Sequence, residues 1–233
     1  MEVARKEDLK ENEEKISLLI KKYNINLEKL EKEQIKLGKN LDTKDKINFD
    51  LIGRIAGIEN VFFKNQIISA IVVINKNFEL IEQEYFSDKI RFPYIPGFRA
   101  YRELPCMIEA FNKLDEKPDL VFIRGHGILH PRGLGIASHF ALTVNVPVIG
   151  IAESLLIGET EEDSIFLDVK LAGKILKTKE GANPIYISPG NKISVSSALK
   201  MTKKFIKEPH KFPEPLRLAK RYAKEIRKEL FKS

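Results

Sequence analysis

The sequence has a single cysteine in 233 residues, Cys106, which excludes an internal disulfide and fits a reducing compartment. Cys106 lies in an apolar helical pattern with Met107, Ile108, Ala110 and Phe111, the setting of a core-filling thiol rather than a nucleophile. No apolar run approaches the roughly 20 residues of a membrane span, and the opening residues 1–15 are too acidic and polar for a signal peptide. No low-complexity linker divides the chain. These absences argue against a membrane protein and a disulfide scaffold, and lead to the expectation of a soluble, cytoplasmic protein.

An apolar content of 43% suffices for one substantial core. The expected organisation is a helical N-terminal extension over 1–49 followed by one α/β domain over 50–233. Charge is uneven: the stretch from Lys200 to Ser233 carries twelve Lys/Arg and four Glu, a net +8, against +7 for the whole chain. The rest is nearly neutral, so the basic C-terminal helix is either a phosphate-binding face or a lysine-rich solvated surface.

Apolar spacing predicts two short amphipathic helices over 5–23 and 27–40, joined near Asn24-Ile25-Asn26. Three strand-like runs follow at 51–63, 66–75 and 78–87, with the polar pairs Lys64-Asn65 and Lys76-Asn77 suited to tight hairpins. A helix over 98–114, a strand over 119–123, a helix over 133–144 and a strand over 147–152 complete a β-β-β-α-β-α-β order. That order is consistent with the fold class α/β, a ribonuclease H-like mixed sheet in which a three-strand antiparallel meander is followed by α-β-α-β, with flanking helices. The runs 165–177 and 184–188 read as an added hairpin, and 194–206 and 214–231 as helices.

The stretch Val121 to His139, VFIRGHGILHPRGLGIASH, is a buried strand turning through glycines into a polar loop and then a helix. That arrangement places polar groups at the carboxyl end of a sheet, where α/β proteins build their sites. The same residues carry a resemblance. Arg124 to Arg132 (RGHGILHPR) and Gly135 to His139 (GIASH) resemble the signature of the endonuclease V family, Asp-Gly-(Gln/His/Asn)-Gly-x-x-His-Pro-Arg followed by Gly-x-Ala-Ser-His. Phe92-Pro93-Tyr94-Ile95-Pro96-Gly97 matches the family's strand-separating wedge and Tyr101-Arg102-Glu103 its Phe/Tyr-Arg-Glu. Ser188-Pro189-Gly190 and Pro213 to Ala219 match two further landmarks in the expected order, so the resemblance spans roughly residues 50 to 230.

The resemblance implies a ribonuclease H-like fold and metal-dependent hydrolysis of a phosphodiester near inosine in DNA or RNA, in repair or RNA processing. The metal, usually Mg²⁺, is held by carboxylates because a small, hard dication prefers oxygen ligands. Of the four implied ligand positions, Glu59 (in Gly57-Ile58-Glu59, normally Gly-Val-Asp) and Glu103 remain acidic. Glu59 carries an extra methylene, which moves the carboxylate by roughly 1 Å and can cost about a hundredfold in rate. Arg124 replaces the Asp of the signature, and Lys220 stands where the last helix supplies Asp or His. A cation about 4 Å from a dication costs on the order of 8 kcal/mol at an effective dielectric of 20, whereas millimolar Mg²⁺ affinity is worth about 4 kcal/mol. Metal binding at Glu59 and Glu103 is therefore expected to be weak or absent.

A compensating change stands nearby. The family's Gly-Val-Ala-Lys-Ser is here Gly150-Ile151-Ala152-Glu153-Ser154, so an acid and a base have exchanged strands. Arg124 is expected to pair with Glu153, and Arg124 and Lys220 to neutralise Glu59 and Glu103. The recognition elements have changed less. Pro93, Tyr94, Ile95 and Pro96 form the wedge, with Tyr94 offered for stacking; Gly125, Gly127 and His130 match the edge of the base pocket; and Arg132 and Lys203 are candidates for phosphate. His130 is equally suited to a hydrogen bond within the loop, His139 reads as structural, and Asn191 stands where the family usually has His. Three readings follow: a binder of single-stranded or inosine-containing nucleic acid that has lost or greatly reduced hydrolysis; an active nuclease rearranged around Glu59, Glu103 and Glu153; and a scaffold whose N-terminal helix binds a protein.

Overall fold

The computed structural model describes residues 13–231. Of the first expected helix, the part over 5–12 lies outside the described residues; α1 is helical over 13–22. Asn24 then takes a left-handed φ of 50°, and the Asn26 side chain caps α2 (Leu27–Gly38) by accepting from the Lys29 amide. β1 (Ile55–Phe63), β2 (Gln66–Ile74) and β3 (Leu80–Lys89) form the expected antiparallel meander. α3 (Arg99–Asn112), β4 (Leu120–Arg124), α4 (Ile136–Val144) and β5 (Val148–Ala152) follow, with β4 parallel to both β1 and β5.

Two local expectations are corrected. Lys64-Asn65 is a two-residue turn, with Lys64 left-handed, but the second break spans five residues, 75–79. There the Asn75 side chain accepts from the amides of Asn77 and Glu79, a local turn that outcompetes a tight hairpin. The run 165–177 is not one strand. It folds on itself as β7 (Ser164–Leu167) and β8 (Lys170–Leu176) around left-handed Asp168, preceded by β6 (Glu159–Glu161) and followed by β9 (Ile185–Asn191). β9 pairs antiparallel with β5, so the sheet has nine strands in the order β3-β2-β1-β4-β5-β9-β8-β7-β6.

The central strands β4 and β5 are continuous apolar runs because both of their faces are covered. α3 and α4 lie on one face, burying Met107, Phe111 and Phe140 against Ile58, Val121 and Ile123. Cys106 on α3 is buried, and its thiol donates to the Phe86 carbonyl at 3.2 Å. α5 (Val195–Phe205) and α6 (Glu214–Leu230) cover the other face, burying Phe205, Leu216 and Ala219 against Ile55, Phe122 and Ile149. α6 shows why one helix can be both basic and integral: Leu216, Ala219, Ala223 and Ile226 form its buried stripe, and Lys220, Arg221 and Lys224 fall outside it. Its start rests directly on β1 at Gly57, where a Cβ would lie 2.3 Å from the Pro215 carbonyl carbon.

Residues 26–50 are tied to the sheet at several points. Tyr101 donates to the Leu30 carbonyl, Asn191 Oδ1 accepts from the Asp42 amide at 2.8 Å, and Asp45 accepts from the hydroxyls of Ser194 and Ser197. Asn191, buried at the end of β9, is thus a link to this segment. Among the described residues no helix is long and apolar enough to cross a membrane.

Candidate nucleic-acid interface and strand-end charge cluster

β1 pairs with β2 along its whole length but with β4 only from Ile55 to Ile58. Glu59 therefore stands beside Arg124, the last residue of β4, and the last four residues of β1 run past the end of β4. Side chains alternate across a strand. Gly57 and Glu59 face α6, whereas Ile58, Asn60 and Phe62 face α3. Phe122 and Arg124 share the α6 face with Ile149 and Ile151 of β5, the strand that Glu153 follows.

On that face the expected pair forms. Arg124 Nη2 donates to Glu153 Oε2 at 2.7 Å, and Nη1 lies 3.4 Å from Glu59 Oε1. Lys211 Nζ approaches Glu153 at 3.5 Å, giving a row of alternating charges, Glu59, Arg124, Glu153, Lys211. The Phe212 ring lies under the Arg124 guanidinium, 3.7 Å from Cζ to centroid, a cation–π contact that holds it against β4. Burial pushes the Glu59 carboxyl up to about 7 against the pull of Arg124, Lys220 and Arg99. Burial also works against ionised Glu153, but it is outweighed by the Arg124 hydrogen bond and charge, which hold Glu153 below the usual carboxylate range.

Glu103 corrects the expected pairing. It lies on the α3 side, where its carboxylate receives Arg99 Nε at 2.6 Å, Arg99 Nη2 at 2.9 Å and Asn60 Nδ2 at 2.7 Å. Arg99 Nη1 also donates to the Arg124 carbonyl at 2.9 Å, so Arg99 joins α3 to the end of β4. Arg124 cannot serve Glu103 because the two side chains stand on opposite faces of the sheet. Lys220 makes no ion pair with either Glu59 or Glu103; it acts on Glu59 only through its charge. Among the described residues no three His, Cys, Asp or Glu side chains converge as a metal site.

Beside this cluster lies a pocket of about 230 Å³, lined by Tyr94, Pro96, Arg99, His126, His130, Gly135 and Ser154 among others. It shares Arg99, His126 and Ser154 with a second cavity of about 320 Å³ that opens onto Arg124 and Glu153. Its loop rests on β9: the Gly127 amide donates to Ser188 Oγ at 2.8 Å, and a Cβ at Gly127 would lie 1.9 Å from the Pro189 carbonyl oxygen. Two motifs far apart in sequence meet through this one glycine.

The Pro93–Gly97 segment is held at Ile95 and at Gly97. Ile95 is buried as its anchor and leaves Tyr94 58% exposed, while the Gly97 carbonyl accepts from Gln34 Nε2, His130 Nε2 and Arg132 Nη2. Because a carbonyl only accepts and the Arg132 amide donates to His130 Nδ1, the network fixes His130 as the neutral tautomer protonated at Nε2. Burial and the Arg132 charge push its pKa down to about 4. Arg132 also binds Gln34 Oε1 and Glu31 and lies over Phe98, so its donors are engaged inside the protein. His126 donates to the Ser154 carbonyl at 2.7 Å, and burial lowers its pKa. His139 is buried against the Tyr101 ring. Pro93 is buried beside Tyr94 in the chain and Gly125 lines the second cavity, whereas Lys203 is on α5, across the sheet from α3.

Sequence reasoning missed Arg99, Asn60, Lys211, Phe212 and Gln34. Arg99 was findable, since it stands four residues before Glu103 on a helix, the spacing of an ion pair. Phe212 and Gln34 carry no such local signal.

A ribonuclease H-like sheet that places charged groups at the ends of its central strands, beside a loop-walled pocket, defines the class of nucleases and their relatives built on that fold. Comparison makes the assignment specific. The family model described as Endonuclease V matches residues 35–221. Endonuclease V of Thermosipho melanesiensis is 41% identical over 186 residues, covering 76% of this chain and 82% of that protein. The crystal structure of endonuclease V from Bacillus subtilis superposes with a TM-score of 0.82 at 30% identity, covering 88% of this chain and 94% of that one. That of Ciona intestinalis endonuclease V, in complex with a 24mer DNA containing an inosine followed by a ribo-adenosine, shares the fold at 20% identity, with a TM-score of 0.78 over 88% of this chain and 99% of that one. The chain belongs to the endonuclease V family.

Proposed function

We propose that this protein binds single-stranded or inosine-containing DNA or RNA through the pocket beside Tyr94, and that its phosphodiester hydrolysis is lost or greatly reduced. Family membership, the intact wedge and the pocket support recognition of a deaminated base turned out of its strand. One observation carries the second half: the Arg124 guanidinium occupies the space between Glu59 and Glu153, 3.4 Å from one and 2.7 Å from the other. The donor set does not fit Mg²⁺. A permanent cation stands where the family resemblance implies a carboxylate ligand, Phe212 backs it, and Glu103 is engaged by Arg99 and Asn60 on the other side of the sheet. A rearranged site using Glu59, Glu103 and Glu153 would need both arginines displaced at once.

The test is incubation of a labelled single strand carrying one inosine with the protein and Mg²⁺, then Mn²⁺, alongside equilibrium binding at several salt concentrations. The expected result is salt-sensitive binding, tighter than to the same strand with adenine, and no cut. Metal-dependent cleavage near the inosine would overturn the loss of hydrolysis, and equal affinity for both strands would overturn base recognition.

A further inference from the structure

Beyond the pocket, on its wedge side, the end of β1 and the start of α3 enclose a groove of about 520 Å³ lined by Phe62, Tyr94, Arg99, Arg102 and Glu103. Phe62 is there because β1 overruns β4: it pairs with Ile67 of β2 on one side, β4 no longer runs beside it on the other, and its ring on the α3 face is left 37% exposed. Its neighbours on β1, Asn60, Val61 and Phe63, are only partly buried, so this end of the strand presents an open surface. The Arg102 guanidinium lies over this ring, 4.8 Å from Cζ to centroid, and among the described residues it has no carboxylate within ion-pair distance. Its N–H donors are therefore available while its plane is already stacked. Tyr94 and Arg99 line both the groove and the pocket, so the two adjoin across these side chains.

We infer that this groove is a second nucleobase subsite, in which a base next to the one held in the pocket stacks on Phe62 while Arg102 hydrogen-bonds a phosphate of the same strand. An exposed ring beside a cation with free donors suits the alternation of flat, apolar bases with anionic phosphates, and a π-face accepts any base. The assignment rests on the nucleic-acid reading above and extends it: the pocket would read one base, and the groove would fix the direction in which the strand leaves it without reading sequence.

The test is a binding cycle with a short inosine-containing strand in which single bases on either side of the inosine are removed in turn to leave abasic sites. Against wild-type protein, removal at one flanking position is expected to weaken binding about tenfold, within the range of one base stacked on an aromatic side chain. Phe62→Leu, which keeps the apolar bulk but not the ring face, is expected to lose about the same on the intact strand and almost nothing further on that abasic strand, because both changes remove one contact. Phe62→Tyr is expected to bind as wild type does, and all three proteins to show the same thermal melt. Losses that add for Phe62→Leu and the abasic site, or a Phe62→Leu protein that binds like wild type, would overturn the inference and leave the proposed function standing. Failure of the wild type to bind any strand would overturn both.

Discussion

The strand-end cluster and the pocket beside it share Arg99, His126 and Ser154, yet they are built from different materials. The cluster is made of side-chain charges: Glu59, Arg124, Glu153 and Lys211 alternate along the strand ends, and each is a single residue away from a different chemistry. The pocket is positioned through contacts made to its backbone. Its loop is set by the Gly127 contact with Pro189 and the Gly127–Ser188 hydrogen bond, and its wedge by three donors on one carbonyl. A surface fixed by backbone packing survives substitution around it, whereas a centre fixed by charge can be inverted by exchanging two residues. Here Arg124 and Glu153 pair across the ends of β4 and β5, so their charges balance in position.

The largest effect that would break this contrast lies in the pocket. Gly127→Ala would drive a Cβ into the Pro189 carbonyl, a backbone atom that cannot step aside. A destabilisation of about 3 kcal/mol is expected, a fall of roughly 10 °C in melting temperature, together with loss of strand binding. A variant that melts and binds like wild type would show that the loop does not depend on this packing.

Next comes the cluster itself. Arg124→Met removes the cation beside Glu59, whose side chain is only 8% exposed, while the Glu153 end of the interaction is half exposed and screened. Unfolding by denaturant is expected to show a loss of about 3 kcal/mol at pH 8. The loss should shrink at pH 5.5, because a carboxyl held near 7 is then protonated with or without Arg124. An equal loss at both pH values would mean that packing on Phe212, rather than charge, carries the effect.

Glu59 also makes a signed prediction. Its pKa is raised from 4.5 to about 7 on folding, so between those values the folded protein holds a proton that the unfolded chain releases. That contribution is complete below about pH 4.5 and is lost as pH rises through about 7. Glu59→Gln should therefore flatten the stability profile over this window by about 3 kcal/mol. An unchanged profile would show that Glu59 is not the group that titrates.

The smallest effect on the fold is expected at Tyr94. With its ring 58% exposed, Tyr94→Ala should leave the melting temperature unchanged and weaken binding of an inosine strand by about 1 to 3 kcal/mol. Unaltered affinity would remove the wedge from the recognition surface.

What was legible in the sequence follows the same division. The strands and helices that set the fold appeared as apolar runs and helical spacing, and the wedge, loop and Ser188-Pro189-Gly190 motifs were readable because prolines and glycines mark fixed backbone. The Arg124–Glu153 pair was readable too, since adjacent parallel strands bring their ends together. The partner of Glu103 was not, because it depends on which face of β1 each residue takes: Asn60 turns toward α3 and Glu59 toward α6, so Arg99 rather than Arg124 answers Glu103. Phe212 arrives from the connection between α5 and α6, whose path no local pattern specifies. The hairpin of β7 and β8 was hidden inside one apolar run because its turn, at Asp168 and Val169, lacks glycine and proline.

The central claim, that an ion-pair row has replaced a metal centre, is tested most directly by titrating Mn²⁺ into the wild type and into the Arg124→Asp, Lys220→Asp double variant, following bound ion by its paramagnetic resonance signal. The account predicts no binding to the wild type at millimolar Mn²⁺ and a gained site in the double variant, where carboxylates replace both cations. Binding by the wild type that Glu59→Gln abolishes would contradict it.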